Sequence, residues 1–162
     1  MDETLQTLAA ECGRLLLAQG GRLGAAESCT GGWLAKVVTD LPGSSAWFEC
    51  GLVTYSNESK QALLGVPAGV LVTHGAVSLP TVRAMAAGVL GRTRATHAVA
   101  ISGIAGPGGG SPDKPVGTVC FAWADADGRS EERQTRLPGD REAVRRAAVE
   151  IALRGVLGLL IA

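Results

Sequence analysis

The sequence holds no Cys-x-x-Cys pair. Its four cysteines, Cys12, Cys29, Cys50 and Cys120, are widely and irregularly spaced, which speaks against a zinc site and gives no pattern for a disulfide framework. An apolar leader is also missing, since Met1 to Thr7 is polar. Four reduced thiols in a cytoplasmic protein is the expectation. The longest apolar stretch, near Val156 to Ala162, is too short and too glycine-interrupted to span a bilayer. Charge of one sign is not in excess. Fifteen basic side chains face fifteen acidic ones, which argues against a chain that lives on DNA, RNA or anionic lipid. No repeat, low-complexity run or linker interrupts the 162 residues, so one domain over 1–162 is expected.

What is present is a packed globule. Hydrophobic residues make up 46% and charged residues 19%, and mean hydropathy is slightly positive, enough for one substantial core. The 23 glycines are the compositional oddity. They predict tight turns and loops in which backbone approaches a ligand closely.

Hydrophobic spacing predicts the elements. Leu5, Leu8, Ala9, Cys12, Leu15 and Leu16 recur at helical spacing before a Gly20-Gly21 stop. A strand over Arg22 to Glu27 runs into the turn Ser28 to Gly32 and a helix over Trp33 to Thr39, ended by Leu41-Pro42-Gly43. Cys50 to Tyr55 reads as a second strand, and Asn57 as the N-cap of a short helix carrying Lys60. Ser78 caps a further helix through Val82, Met85, Ala86 and Val89. His97 to Ile101 is a buried strand feeding a Gly/Pro loop from Gly103 to Pro115. Val116 to Ala124 and Arg129 to Arg136 form a hairpin around Asp127-Gly128, and Asp140 caps the last helix. Alternating helices and strands with a late hairpin predict a three-layer α/β/α domain with a mixed sheet.

Four segments can carry chemistry. Ser28 ends a strand and is followed by Gly31-Gly32 at a helix start. This puts a hydroxyl beside the N–H groups of Cys29, Thr30 and Gly31, a set suited to an oxyanion hole. Read alone, Ser28 is more simply a helix cap, and Ala26 stands where a Gly-x-Ser-x-Gly elbow needs glycine. In Tyr55-Ser56-Asn57-Glu58-Ser59-Lys60, an Asn57 cap places Lys60 third in the helix. There the positive end of the dipole depresses its pKa, as a serine's base requires. Tyr55, the only tyrosine, can donate to substrate or orient the lysine; a solvated lysine and a core tyrosine are the alternatives. Ser102-Gly103-Ile104-Ala105-Gly106-Pro107-Gly108-Gly109-Gly110 follows a strand and suits close approach to phosphate or ribose, yet it is neither a Walker loop nor a dinucleotide fingerprint. Arg141 and Arg145, four apart at a helix start, share a face and can clamp a phosphate; an ion pair with Glu142 is the alternative. His97, opening an apolar strand, and His74, at a helix end, offer no informative spacing, so lysine is the better base.

Taken in order, Ala26-Glu27-Ser28-Cys29-Thr30-Gly31-Gly32, Pro42-Gly43-Ser44-Ser45, Tyr55-Ser56-Asn57 with Lys60, Gly75-Ala76-Val77-Ser78, Gly103-Ile104-Ala105-Gly106-Pro107, Lys114-Pro115-Val116-Gly117-Thr118 and Gly139-Asp140-Arg141 form a series. It closely resembles the CinA C-terminal domain family over about Leu5 to Gly155. Single-domain members of that family are nicotinamide-nucleotide amidohydrolases, and with Met1 just before the first helix the chain resembles the single-domain form or an excised one. The resemblance implies hydrolysis of nicotinamide mononucleotide to nicotinate mononucleotide and ammonia, without metal or cofactor. It implies a Ser/Lys pair at Ser28 and Lys60 with Tyr55 nearby, a mixed, mostly parallel five-stranded sheet, and a dimer. Ser102 stands where many relatives have threonine, and Cys50 where a smaller residue is common.

The expected chemistry is attack by Ser28 under Lys60 base catalysis. The N–H groups from Cys29 to Gly31 hold the oxyanion, and Gly32, Ser102, Gly103, Ala105, Gly106, Arg141 and Arg145 receive the nucleotide. Two other classes remain open at this point: a catalytically silent nucleotide-binding module, and an interaction domain connected with DNA uptake or repair.

Overall fold

A computed structural model describes all residues, 1–162. The first helix, α1 (Glu3–Gln19), is set by its cap and its apolar stripe. The Asp2 carboxylate accepts from the Leu5 N–H, Gly20 closes the helix in the left-handed conformation, and Leu5, Leu8, Ala9, Cys12 and Leu16 are buried. β1 (Leu23–Glu27) follows, then α2 (Trp33–Thr39), a 3-10 turn at Ser44–Ala46, β2 (Phe48–Val53), α3 (Asn57–Leu64), α4 (Ala68–His74), α5 (Leu79–Arg92), β3 (His97–Gly103), β4 (Thr118–Asp125), β5 (Ser130–Arg136) and α6 (Arg141–Ile161). No helix is long and apolar enough to cross a membrane.

The sheet order is β2-β1-β3-β4-β5. β1 pairs in parallel with both β2 and β3, while β4 runs antiparallel to β3 and to β5. Only β4 therefore opposes the common direction, which makes the sheet mixed and mostly parallel, as expected. Side chains alternate between its faces with the period of two that a pleated strand imposes. Leu23, Ala25, Val99, Ile101, Val119, Phe121 and Trp123 join α1, α2 and α6 in one core. Ala26, Ala98, Ala100, Cys120 and Ala122 join the helices of the other face, with Val82, Met85 and Val89 of α5 at the centre. The small residues on this second face let α5 lie close. Gly88 of α5 extends the approach to α3: a Cβ there would stand 2.1 Å from the Leu64 carbonyl oxygen.

Several boundaries differ from expectation. β2 begins at Phe48 and ends at Val53, and β4 begins at Thr118 rather than Val116. Of helix α4 only the end at His74 is expected from the sequence. It has seven residues, no side-chain cap at Pro67, and the β-branched Val70 and Val72 with Gly69 inside it, so neither propensity nor periodicity marks it.

The topology fixes where a site can form. The chain leaves β1 through α2 to β2 on one side, then returns through α3, α4 and α5 on the opposite face to β3 on the other side. Such a reversal opens a crevice at the carboxyl ends of parallel strands, and Ser28 follows directly on the end of β1.

Candidate active site

The turn after β1 is held from several directions. Ser28 N–H donates to the Ile101 carbonyl oxygen at 3.0 Å, extending the β1–β3 ladder by one residue. The helix that follows, α2, has Gly32 as N-cap and no side-chain cap of its own. The Glu27 carboxylate supplies the missing acceptors. It takes hydrogen bonds from Thr30 Oγ1 at 2.7 Å, Leu34 N–H at 2.9 Å and Ala35 N–H at 3.1 Å, fully buried throughout. A carboxylate at a helix N-terminus is favoured by the free N–H groups and by the dipole. The sequence alone gives Glu27 no role. Its signal is an acid ending an apolar strand, three residues before Thr30.

Lys60 comes from α3. Ser56, not Asn57, caps that helix: Ser56 Oγ accepts from Ser59 N–H and Ser59 Oγ from Ser56 N–H. Lys60 is therefore the fourth helical residue rather than the third. Its side chain is 1% exposed, and Nζ donates to Ser28 Oγ at 3.1 Å, to the Thr54 carbonyl at 2.8 Å and to the Tyr55 carbonyl at 3.4 Å. Burial lowers its pKa from the ordinary lysine value, with the neighbouring Cys29 a smaller opposing influence. Loss of hydration thus does what the helix dipole was expected to do. No carboxylate is among the partners of Nζ.

Of the predicted oxyanion donors, Gly31 N–H is engaged, donating to the Ser28 carbonyl at 3.0 Å. The N–H groups of Cys29 and Thr30 have no acceptor within the chain. The Cys29 thiol is buried and pushed up to about 11 by that burial, so it remains protonated near neutrality.

A cleft of about 270 Å³ opens over this pair. It brings together Ser28, Cys29, Tyr55, Lys60, Ser102, Gly103, Ala105, Gly106 and Arg141, and adds Ile104, Gly108 and Gly109 of the glycine loop with Ala76 and Val77 from the α4–α5 link. Tyr55 is 60% exposed. Arg141, first residue of α6, donates to Tyr55 Oη at 3.2 Å and to the Gly106 carbonyl at 2.8 Å, tying the tyrosine to the loop.

Thr30, Gly31, Gly32 and Arg145 lie elsewhere. They line a larger open cleft of about 790 Å³ behind the turn, with Trp33, Lys36 and the Met1–Asp2 end. Arg145 Nε donates to the Cys29 carbonyl at 3.0 Å and Nη2 to the Thr30 carbonyl at 3.1 Å, while the guanidinium stacks over Trp33 at 5.5 Å. The expected Arg141/Arg145 clamp is not formed, because α6 runs behind the turn and Arg145 emerges on its far side. His97 is nearly buried, its pKa lowered by that burial, and its Nδ1 meets Thr96 Oγ1 at 2.9 Å, away from Ser28. The four cysteines are free, and no three metal-ligating side chains converge.

The chain is similar to known proteins. The nicotinamide-nucleotide amidohydrolase PncC of Escherichia coli K12 is 56% identical over 153 residues, covering 94% of this chain and 93% of the relative. The Pseudomonas putida protein of the same name is 50% identical, covering 97% of this chain and 98% of its own. Among solved structures, the competence/damage inducible protein CihA from Agrobacterium tumefaciens superposes with a TM-score of 0.96 at 41% identity, covering 98% of this chain and 97% of that one. The family model described as the CinA C-terminal domain matches residues 5–160. With the buried Ser28–Lys60 pair at the carboxyl end of β1 and this match running nearly end to end, the chain belongs to the CinA C-terminal domain family.

Proposed function

We propose that the chain hydrolyses the carboxamide of nicotinamide mononucleotide to nicotinate mononucleotide and ammonia, with Ser28 as nucleophile and Lys60 as base. The observation that carries this reading is the 3.1 Å contact between Lys60 Nζ and Ser28 Oγ, made by a buried lysine without a carboxylate partner. The names of the relatives from Escherichia coli and Pseudomonas putida supply the substrate.

Neutral Lys60 takes the Ser28 proton across this contact as Oγ attacks the carboxamide carbon, and the carbonyl π pair moves onto oxygen. The free N–H groups of Cys29 and Thr30 receive that oxyanion. Collapse breaks the C–N bond, and Lys60 returns the proton to the leaving nitrogen, so that ammonia departs from an ester on Ser28. Water then attacks the ester, again giving its proton to Lys60, and the Ser28–carbon bond breaks with return of the proton to Oγ. Ser102, Gly103, Ala105, Gly106 and Arg141 receive the ribose and phosphate in this scheme, Arg141 being the one basic side chain in the cleft besides Lys60. Action as a single cytoplasmic domain and as a dimer belongs to the same proposal.

The test is ammonia release from nicotinamide mononucleotide, nicotinamide riboside and free nicotinamide. Turnover of the mononucleotide well above the other two supports the reading. Binding of the mononucleotide without ammonia release contradicts it and favours a silent binding module.

A further inference from the structure

The turn that carries Ser28 has two sides, and only one of them faces the cleft. The Cys29–Thr30 peptide is trans, the single cis bond of the chain being Gly106–Pro107. In a trans peptide the carbonyl and the N–H point in opposite directions. Arg145 binds the Cys29 carbonyl from behind at 3.0 Å, so the Thr30 N–H of the same peptide is directed toward the other side. Cys29, the other half of that peptide, is in the wall of the cleft beside Ser28 and Lys60. The second bond from Arg145, to the Thr30 carbonyl at 3.1 Å, fixes the next peptide. Stacking on Trp33 holds the guanidinium in place. Gly31 makes room for it: a Cβ there would lie 3.3 Å from Nη2, and its φ of +62° is one that side chains disfavour.

We infer that Arg145 is a positioning residue for the amidase reaction, acting through the Cys29–Thr30 peptide to orient and polarise the Thr30 N–H as an oxyanion donor. A cation on a carbonyl oxygen draws electron density through the amide and strengthens its N–H as a donor, as linked hydrogen bonds polarise one another. Arg145 touches no substrate in this role. The inference rests on Ser28 being the nucleophile, and it replaces the phosphate-clamping role that helical spacing alone gives Arg145.

The two roles differ in what they change. A phosphate clamp acts on the ground state, so its loss raises KM, whereas a support of the oxyanion hole acts where charge develops, so its loss lowers kcat. Arg145→Ala and Arg145→Lys are compared with wild type on nicotinamide mononucleotide. Affinity for the same molecule is measured by calorimetry with each change placed in a Ser28→Ala background. Arg145→Ala should lower kcat about 10- to 100-fold, short of the roughly 100- to 1,000-fold seen when a donor is removed outright. Arg145→Lys, which can reach one carbonyl, should lie between. Affinity in the Ser28→Ala background should change by less than about threefold, since the ground state is bound by other residues.

An aldehyde analogue of the substrate gives an independent readout, since Ser28 Oγ adds to its carbonyl carbon and leaves an oxyanion in the same place. Its inhibition constant should rise in parallel with the fall in kcat. A rise in KM and in the calorimetric dissociation constant at unchanged kcat would overturn the inference, as would full activity of Arg145→Ala. Should Arg145→Ala fail to fold, Arg145→Lys carries the same comparison. Full activity of Ser28→Ala would instead overturn the nucleophile on which the inference stands, and is read separately.

Discussion

Glu27 and Ser28 are consecutive, yet they serve opposite faces of the sheet. The Glu27 carboxylate caps α2 on one side, and Ser28 Oγ meets Lys60 of α3 on the other. The alternation of a strand therefore keeps the buried acid away from the buried base. An ion pair between them would hold the lysine protonated; without one, loss of hydration lowers its pKa.

The first consequence is a pH profile. The neutral amine is the active form, so kcat/KM should rise with pH through an inflection below the ordinary lysine value. Stability should follow the same group. Between its lowered folded pKa and its unfolded value, the unfolded chain binds more protons, so stability rises with pH over that window. Lys60→Met removes this dependence. Urea titrations at several pH values should show the stability difference from wild type shifting toward wild type as pH rises.

Removing the cap beneath Ser28 should be costly. Glu27→Ala leaves Thr30 Oγ1 and the N–H groups of Leu34 and Ala35 without their acceptor in a buried place. A loss of about 3 kcal/mol is expected, read as a lower urea midpoint. Ammonia release should fall as well, because the turn loses its anchor.

Gly88 sets the distance between α3 and α5. In Gly88→Ala the new methyl meets the Leu64 carbonyl, so α3 must shift. Overpacking of this kind costs about 1–3 kcal/mol. The shift carries Lys60 with it, so kcat should drop more than Tm alone suggests, by comparison with a surface glycine such as Gly69, which has open space around it.

Arg141 tests the phosphate assignment. Losing a charge-assisted contact of about 1.5–3 kcal/mol should raise KM for the mononucleotide roughly 10- to 100-fold. Arg141→Ala should leave the riboside, which lacks the phosphate, largely unaffected. An equal loss on both substrates would assign Arg141 to holding Tyr55 and the loop instead.

Much of this was legible in the sequence where local chemistry decides the outcome. The α1 stripe, the strand before Ser28, the Asp127-Gly128 hairpin and the Asp140 cap all follow from period, cap and turn residues. The Ser28–Lys60 pairing was readable only through a motif series, since the contact spans a separation of 32 residues and no spacing rule reaches that far. What stayed hidden was direction. Helical spacing puts Arg141 and Arg145 on one face, yet the path of α6 past the turn sends them to different sides of it. Glu27 was hidden for a related reason, because a cap supplied by the preceding strand lies outside the helix it serves. Helix α4 is marked locally only at its His74 end and is held by burial of Leu71 in the core beneath α5.

The central claim is tested most directly by ammonia release from nicotinamide mononucleotide by wild type, Ser28→Ala, Lys60→Met and the double variant, each with its fold checked by circular dichroism. The pair acts as a unit in this account. Each single change should then lower kcat by about three orders of magnitude or more, with the double variant little worse than either. Ammonia release near the wild-type rate from a folded Ser28→Ala or Lys60→Met protein would contradict it.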